Sequence, residues 1–125
     1  MTVVNGIHHV KLPVSDVAAS RAWYERVLGF TLEIEFVEDG VVRGVALGRD
    51  GVGLALREDP ERAKAMSGFD ALALLVPTRE QVHAWQARLD EAGEPHGGVV
   101  TGHRGGAVLV GLHDPDGIEI RLYAN

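Results

Sequence analysis

Five polar residues with functional chemistry occupy alternate positions near the two ends of this chain. They are His9, Lys11, Glu119, Arg121 and Tyr123. Each set alternates with apolar residues, and alternate side chains of a β-strand point to one face. On a chain of net charge −6, the imidazole, ammonium and guanidinium donors indicate a local pocket for an anionic or strongly polarised oxygen. We therefore expect these residues to bind a ligand, with His9 and Arg121 as candidates for catalysis.

A purely structural role is an equally weighted alternative for the same side chains. Arg121 could pair with a carboxylate instead of a ligand; the candidates are Glu119, Glu33 and Glu35. His9 would then be an inherited polar residue, and Tyr123 would pack at one end of the pocket.

Other chemistry is poorly represented in the sequence. The chain has no cysteine, which removes thiolate nucleophiles, thiolate metal ligands and disulfides. No serine lies in a Gly-x-Ser-x-Gly motif, and the glycine-rich stretch 102–106 lacks the Lys-Ser/Thr of a phosphate-binding loop. Two histidines of the glycine-rich region, His96 and His103, are expected to be solvated.

Length and composition indicate one soluble domain covering residues 1–125. The chain is 46% hydrophobic and 24% charged, which is ordinary for a globular protein. The acidic balance argues against nucleic acid or an anionic membrane as partner. No apolar run approaches the ~20 residues of a membrane span, and no secretion signal is apparent. We expect a cytoplasmic protein, and the excess of arginine over lysine is typical of GC-rich bacterial coding.

The two halves of the chain resemble each other. The segment from Asp50 to Arg57 is similar to the segment from Asp116 to Tyr123, and Trp23 has a counterpart in Trp85. The predicted order of strands and helices in each half is βαβββ. Module 1 is expected over about residues 5–57, a connector with room for one helical turn over 58–68, and module 2 over about 69–125.

Local signals place the elements within each half. Strands are predicted at 7–14, 32–36, 41–47, 52–57, 69–76, 107–112 and 118–123. Helices are predicted between caps and terminal glycines, Asp16 to Gly29 and Thr78 to Gly93. The stretch 93–106 is expected to be a weak strand or a mobile loop. The fold class is α+β: two paired βαβββ modules whose curved mixed sheet leaves one face around a cavity.

Particular motifs resemble the vicinal oxygen chelate superfamily. They are Ile7-His8-His9-Val10, Asp16, Trp23-Tyr24-x-x-Val27-Leu28-Gly29-Phe30 and Asp114-Pro115-Asp116-Gly117. This superfamily contains glyoxalase I, extradiol dioxygenases, fosfomycin-resistance transferases and bleomycin-resistance proteins. The resemblance covers nearly the whole chain. It implies the glyoxalase-like fold and leaves the activity open, since one fold serves many functions.

The resemblance also implies metal-ligand positions, and this chain has lost most of them. His9 matches the first-strand histidine, while His8 is expected to face the helix. The other three positions carry Ala55, Ala71 and Arg121. A divalent cation needs roughly three nitrogen or oxygen ligands from protein, so no metal cofactor is expected. The alternative is a Zn, Ni or Fe ion in a displaced site made by His9 and Glu119.

The function expected from this resemblance is binding of a small organic molecule without a metal, sequestration included. Such a ligand would be anionic if Arg121 anchors it. One alternative is a metal-dependent glyoxalase-like lyase or extradiol dioxygenase with rearranged ligands. Another is a metal-free enzyme with His9 as general base and Arg121 as oxyanion partner. A third is a vestigial cavity on a protein that acts through its dimer surface. A homodimer is expected, with modules paired within or between chains.

Overall fold

The computed structural model describes all 125 residues and contains two compact units, Met1–Lys64 and Ala65–Asn125. The first unit runs β1 (Val10–Val14), α1 (Val17–Leu28), β2 (Thr31–Glu38), β3 (Val41–Arg49) and β4 (Val52–Glu58). The second runs β5 (Asp70–Leu75), α3 (Arg79–Ala92), β6 (Val99–Thr101), β7 (Ala107–His113) and β8 (Glu119–Ala124). Helix α2 (Pro60–Met66) spans the boundary. Each unit is βαβββ, which confirms the predicted fold class.

The two sheets share one topology. Their strand orders are β1-β4-β3-β2 and β5-β8-β7-β6, and in each the first strand lies parallel to the last. The other pairings are antiparallel. None of the helices is long and apolar enough to cross a membrane.

Both long helices begin and end at the residues that the sequence marks. The carboxylate of Asp16 accepts the N–H of Ala19 at 3.0 Å, and the hydroxyl of Thr78 accepts the N–H of Gln81 at 3.2 Å. Gly29 and Gly93 both have φ of 72°, the left-handed conformation in which glycine ends a helix without a Cβ clash. Local capping chemistry therefore fixes the length of α1 and α3.

Strands β1, β3 and β4 of the first sheet have one face packed in the core and one open face, whereas β2 is exposed except for half-buried Leu32. The core face carries apolar side chains that are at most 2% exposed: Leu12, Val14, Val45, Leu47, Leu54 and Leu56. Helix α1 contributes its own buried residues to this core, Trp23 and Tyr24 among them. On the open face Ile34 and Phe36 are 51% and 46% exposed.

Several expectations need correction. Strand β1 begins at Val10, opposite Leu54 of β4, rather than at residue 7. The connector holds α2, a helix longer than one turn. The glycine-rich stretch forms the short strand β6 followed by a 3₁₀ turn at His103–Gly105. Trp85, the counterpart of buried Trp23, is only half-buried and has the Arg88 guanidinium 5.0 Å from its ring centre.

Candidate functional site

The open face of the first sheet carries a pocket of about 980 Å³ that is lined entirely by residues of the first unit. Its floor is formed by small residues of the two central strands, Gly44, Ala46 and Gly48 on β3 and Gly53 and Ala55 on β4. These positions alternate with the buried leucines and valines of the core face. No side chain of the floor is larger than a methyl group, which leaves room above the centre of the sheet.

The walls of the pocket rise from the two outer strands. His8, His9 and Lys11 lie at or just before β1, whereas Glu33, Ile34 and Phe36 lie on β2. The two walls face each other across the floor. One row of paired residues runs from wall to wall across the four strands: Lys11, Ala55, Ala46 and Ile34. One wall is thus basic, and the other combines acidic side chains with the apolar Ile34 and Phe36.

Glu33 enters the pocket because of an irregularity in β2. The register between β2 and β3 shifts between Leu32 and Ile34, and such bulges redirect a side chain. The Glu33 carboxylate oxygen Oε1 lies 2.1 Å from the position that a Cβ on Gly48 would occupy. Position 48 must therefore be glycine for this carboxylate to lie on the floor.

His9 reaches the same part of the floor from the opposite wall. Its Cβ lies 3.2 Å from the position that a Cβ on Gly53 would occupy. Gly48 and Gly53 are direct partners across the β3–β4 ladder. The imidazole-bearing residue and the Glu33 carboxylate therefore approach one glycine pair from two sides.

The expected orientation of His8 is wrong. Both His8 and His9 line the pocket, and their Nδ1 atoms are 2.9 Å apart, so one of these nitrogens donates to the other. Strand parity does not apply to His8, because both histidines precede β1.

Most charged groups around the pocket already have partners. Arg57 donates to both carboxylate oxygens of Glu38 at 2.9 and 3.0 Å, and this hydrogen bond lowers the pKa of Glu38. Arg49 donates to the Asp50 carboxylate at 3.0 Å. Lys11 and Glu33 make no hydrogen bond or ion pair. The pocket thus keeps one unpaired cation on the β1 wall and one unpaired carboxylate over the floor.

In the second unit, Arg121 is held by acidic neighbours. Its Nε donates to Glu119 Oε2 at 2.7 Å, and its Nη1 lies 3.3 Å from Asp70 Oδ2. The same Glu119 oxygen accepts the N–H of Gly111 at 3.1 Å. Burial raises the pKa of Glu119, but these hydrogen bonds outweigh burial and leave the pKa below its usual value. Of the alternatives for Arg121, the pairing with Glu119 is present; a role as ligand anchor stays a prediction.

Tyr123 lines a separate pocket of about 610 Å³ in the second unit, together with His103 and Arg104. Its ring stacks on His103 with 6.3 Å between centroids, and its hydroxyl accepts the His103 N–H. His96, expected to be solvated, is instead largely buried. Its Nε2 donates to Asp90 at 2.6 Å and its Nδ1 accepts the N–H of Gly98, so it shapes the loop.

The residues at the metal positions do not fit a metal centre. The first unit offers His9 and Ala55 there, and the second offers Ala71 and the cation Arg121. No group of three His, Cys, Asp or Glu side chains in the chain could hold a metal ion. The displaced site would need Glu119, whose carboxylate is already bound by Arg121 and Gly111.

Comparison with known proteins shows the family to which this fold belongs. Residues 6–122 match the model of the Glyoxalase/Bleomycin resistance protein/Dioxygenase superfamily. The chain belongs to this superfamily. The resemblance to vicinal oxygen chelate proteins is thereby confirmed over nearly the whole chain.

The proteins to which this chain is similar bear the names of different functions. It is 28% identical to MhqA of Bacillus subtilis (strain 168), a protein provisionally named a ring-cleaving dioxygenase; the alignment covers 98% of this chain and 41% of MhqA. Lactoylglutathione lyase from Agrobacterium tumefaciens has a TM-score of 0.81 at 16% identity, with 99% and 96% of the chains covered. TnmS3, an antibiotic binding protein from Streptomyces sp. CB03234, has a TM-score of 0.73 at 25% identity, with 99% and 98% covered.

Glu33 is the site residue that sequence reasoning missed. A signal for it existed, because Gly44, Ala46 and Gly48 alternate along a predicted central strand. Small residues inside a strand often mark the close approach of another group.

Proposed function

We propose that this protein binds a small organic molecule in the first-unit pocket without a resident metal. The observation that carries this proposal is the floor of glycine and alanine beneath about 980 Å³ of space. Ala55, which stands at a metal position of the superfamily, is itself part of that floor. Binding requires shape, apolar walls and a few polar anchors, and the pocket offers all three.

The relatives support two readings of this pocket. TnmS3 is an antibiotic binding protein and is 25% identical over nearly its full length. MhqA bears a dioxygenase name, but this chain spans only 41% of it. Binding is therefore our first proposal, and a ring-cleaving or lyase activity with rearranged metal ligands is the second.

Filling the floor tests the binding proposal. Ala46 pairs with Ala55 on one side and with Ile34 on the other, so Ala46→Leu places a larger side chain at the centre of the pocket floor. We expect this variant to lose binding of 2-naphthol, a neutral planar probe, in a fluorescence titration. Ala22→Leu makes the same change on the exposed side of α1 and should bind as the parent does.

Two outcomes would contradict binding at this face. The parent protein could fail to bind 2-naphthol at millimolar concentration. Alternatively, Ala46→Leu, shown by circular dichroism to be folded, could bind the probe as well as Ala22→Leu does.

Metal content separates the two readings. Protein purified without chelator should contain well under one equivalent of Zn, Ni, Fe or Mn, because alanine donates no ligand and guanidinium remains a cation. The enzyme reading would be favoured instead if the protein contained stoichiometric metal that His9→Ala lost and that the control His83→Ala, at an exposed position of α3, retained.

We further propose that the protein is a homodimer. Both sheets expose large apolar side chains on their open faces, such as Phe36 in the first unit and Leu75, which is 76% exposed, in the second. Exposed apolar surface of this kind is commonly covered by a second copy. The cytoplasmic location, the bacterial source and a role in drug resistance stay predictions.

A further inference from the structure

We propose that the ligand of the first-unit pocket is a planar aromatic acid that carries a hydroxyl group at the end opposite its acid group. Lys11 binds the acid and Glu33 accepts the hydroxyl proton in a hydrogen bond. This inference rests on the proposed function and names the chemistry of its ligand.

Lys11 is the anchor for the acid group. It lies on the β1 wall, is exposed to the pocket, and forms no ion pair, unlike Arg57 and Arg49. An ammonium group donates hydrogen bonds only. Its complement in a ligand is therefore an anionic oxygen.

Glu33 requires the opposite chemistry. Its carboxylate is held over Gly48 by the irregularity in β2, and no side chain of the chain donates to it. An ionised carboxylate only accepts hydrogen bonds. The ligand group above Gly48 must then be a donor, such as a phenolic hydroxyl.

The sheet sets the distance between these two groups. In the order β1-β4-β3-β2, Lys11 belongs to β1 and the Glu33 carboxylate lies over β3. Adjacent strands are ~4.8 Å apart, and Gly48 lies two residues along β3 from Ala46, the residue level with Lys11, so about 12 Å separates the two backbone positions. This is about the length of a two-ring aromatic molecule with a substituent at each end.

The remaining surfaces favour a flat ring. Ala46 and Ala55 present only methyl groups beneath the ligand, and Ile34 and Phe36 present apolar surface from the β2 wall. A ring lying on the floor contacts peptide groups on its face and apolar side chains at one edge.

The two unpaired charges exclude simpler ligands. A ligand with anionic groups at both ends would place one of them beside Glu33, and a ligand with cationic groups at both ends would place one beside Lys11. Like charges at close range are repulsive, whereas an acid at one end and a neutral donor at the other satisfies both residues.

The test uses three probes and a matched pair of variants. 6-Hydroxy-2-naphthoate carries both groups, 2-naphthoate only the acid, and 2-naphthol only the hydroxyl. Lys11→Met and Glu33→Met each replace a charged side chain by an apolar one of similar length. Lys64→Met and Glu61→Met, at exposed positions of α2, are the controls.

Each variant should affect only the probes that carry its partner group. Lys11→Met should weaken both acids about tenfold, the lower end of the value of a hydrogen bond to a charged group because Lys11 is exposed, and leave 2-naphthol unchanged. Glu33→Met should weaken the two hydroxylated probes about tenfold and should not weaken 2-naphthoate. The control variants should bind all three probes like the parent.

Failure of this inference is distinct from failure of the proposed function. If all three probes bind, and Ala46→Leu abolishes binding while Lys11→Met and Glu33→Met leave the relative affinities unchanged, the pocket binds ligands but our assignment of their chemistry is wrong. If the parent binds none of the probes, both are wrong.

Discussion

Replacing Ser20 with alanine should stabilise the protein, because the serine hydroxyl is buried between α1 and the core. Ser20 is 1% exposed on the buried face of α1, and its hydroxyl has no hydrogen-bond partner. A buried hydroxyl that has lost its hydrogen bonds to water and gained none in the protein opposes folding. Ser20→Ala removes this group and changes little else.

The expected gain follows from three contributions. A buried unpaired hydroxyl costs ~1–3 kcal/mol in mutational data. Alanine is favoured over serine inside a helix by ~0.5 kcal/mol. Lost contacts of the oxygen, at ~0.1–0.2 kcal/mol for each atom pair, reduce the gain by several tenths. The net stabilisation is ~1–3 kcal/mol, or a rise in Tm of ~4–11 °C for a chain of this size.

Urea unfolding followed by tryptophan fluorescence measures this gain. Trp23 lies on the same helix and is 6% exposed, so its emission reports on the first unit, whereas Trp85 belongs to the second. The Trp85→Phe background isolates the Trp23 signal, which matters because two compact units need not unfold together. Ala22→Ser, on the exposed side of the same helix, measures the propensity term alone.

A stabilisation no larger than the propensity measured at Ala22 would refute the reasoning. It would mean that the Ser20 hydroxyl is satisfied in solution, by water or by a helix carbonyl. Destabilisation would show that it makes a bond of real value.

Two further predictions concern the second unit and the assembly. The pKa of Glu119 is lower in the folded protein than in the unfolded chain, so its contribution to stability is complete above the unfolded pKa of ~4.3 and is lost as pH falls through the lower folded value. The difference in free energy of unfolding between the parent and Glu119→Gln should therefore shrink between pH 7 and pH 3, and a difference independent of pH would contradict this. Sedimentation should show a species of twice the 13.4 kDa chain mass at micromolar concentration, and a purely monomeric protein would contradict the dimer.

The parts of the fold that depend on local chemistry could be predicted from the sequence. Asp16 and Thr78 start helices because their side chains accept nearby N–H groups, and Gly29 ends one because it adopts a positive φ. The internal repeat then gives the same strand order in both halves. Predicting these features requires only residues that are close in sequence, or the comparison of two similar segments of the chain.

Features that depend on pairing between distant strands could not be predicted in the same way. Glu33 lies over Gly48 because of a register shift between β2 and β3, and register is a property of two strands. His8 faces the pocket because β1 starts late. Arg121 approaches Asp70 on the neighbouring strand β5, a contact that alternation along β8 does not reveal.

The repeat supports the assignment of binding to the first unit. When Asp50-Gly51 is aligned with Asp116-Gly117, Gly53 corresponds to Glu119 and Ala55 to Arg121. In the second unit these two positions are occupied by side chains that bind each other at 2.7 Å.

In the first unit the same positions carry almost no side chain and form the pocket floor. At the positions to which the resemblance assigns metal ligands, one half has space and the other has a cation whose charge an adjacent carboxylate balances. A ligand needs volume and unpaired polar groups. Only the first sheet combines an open floor with an unpaired Lys11 and an unpaired Glu33, so we expect substitutions there to affect binding more than substitutions of Arg121.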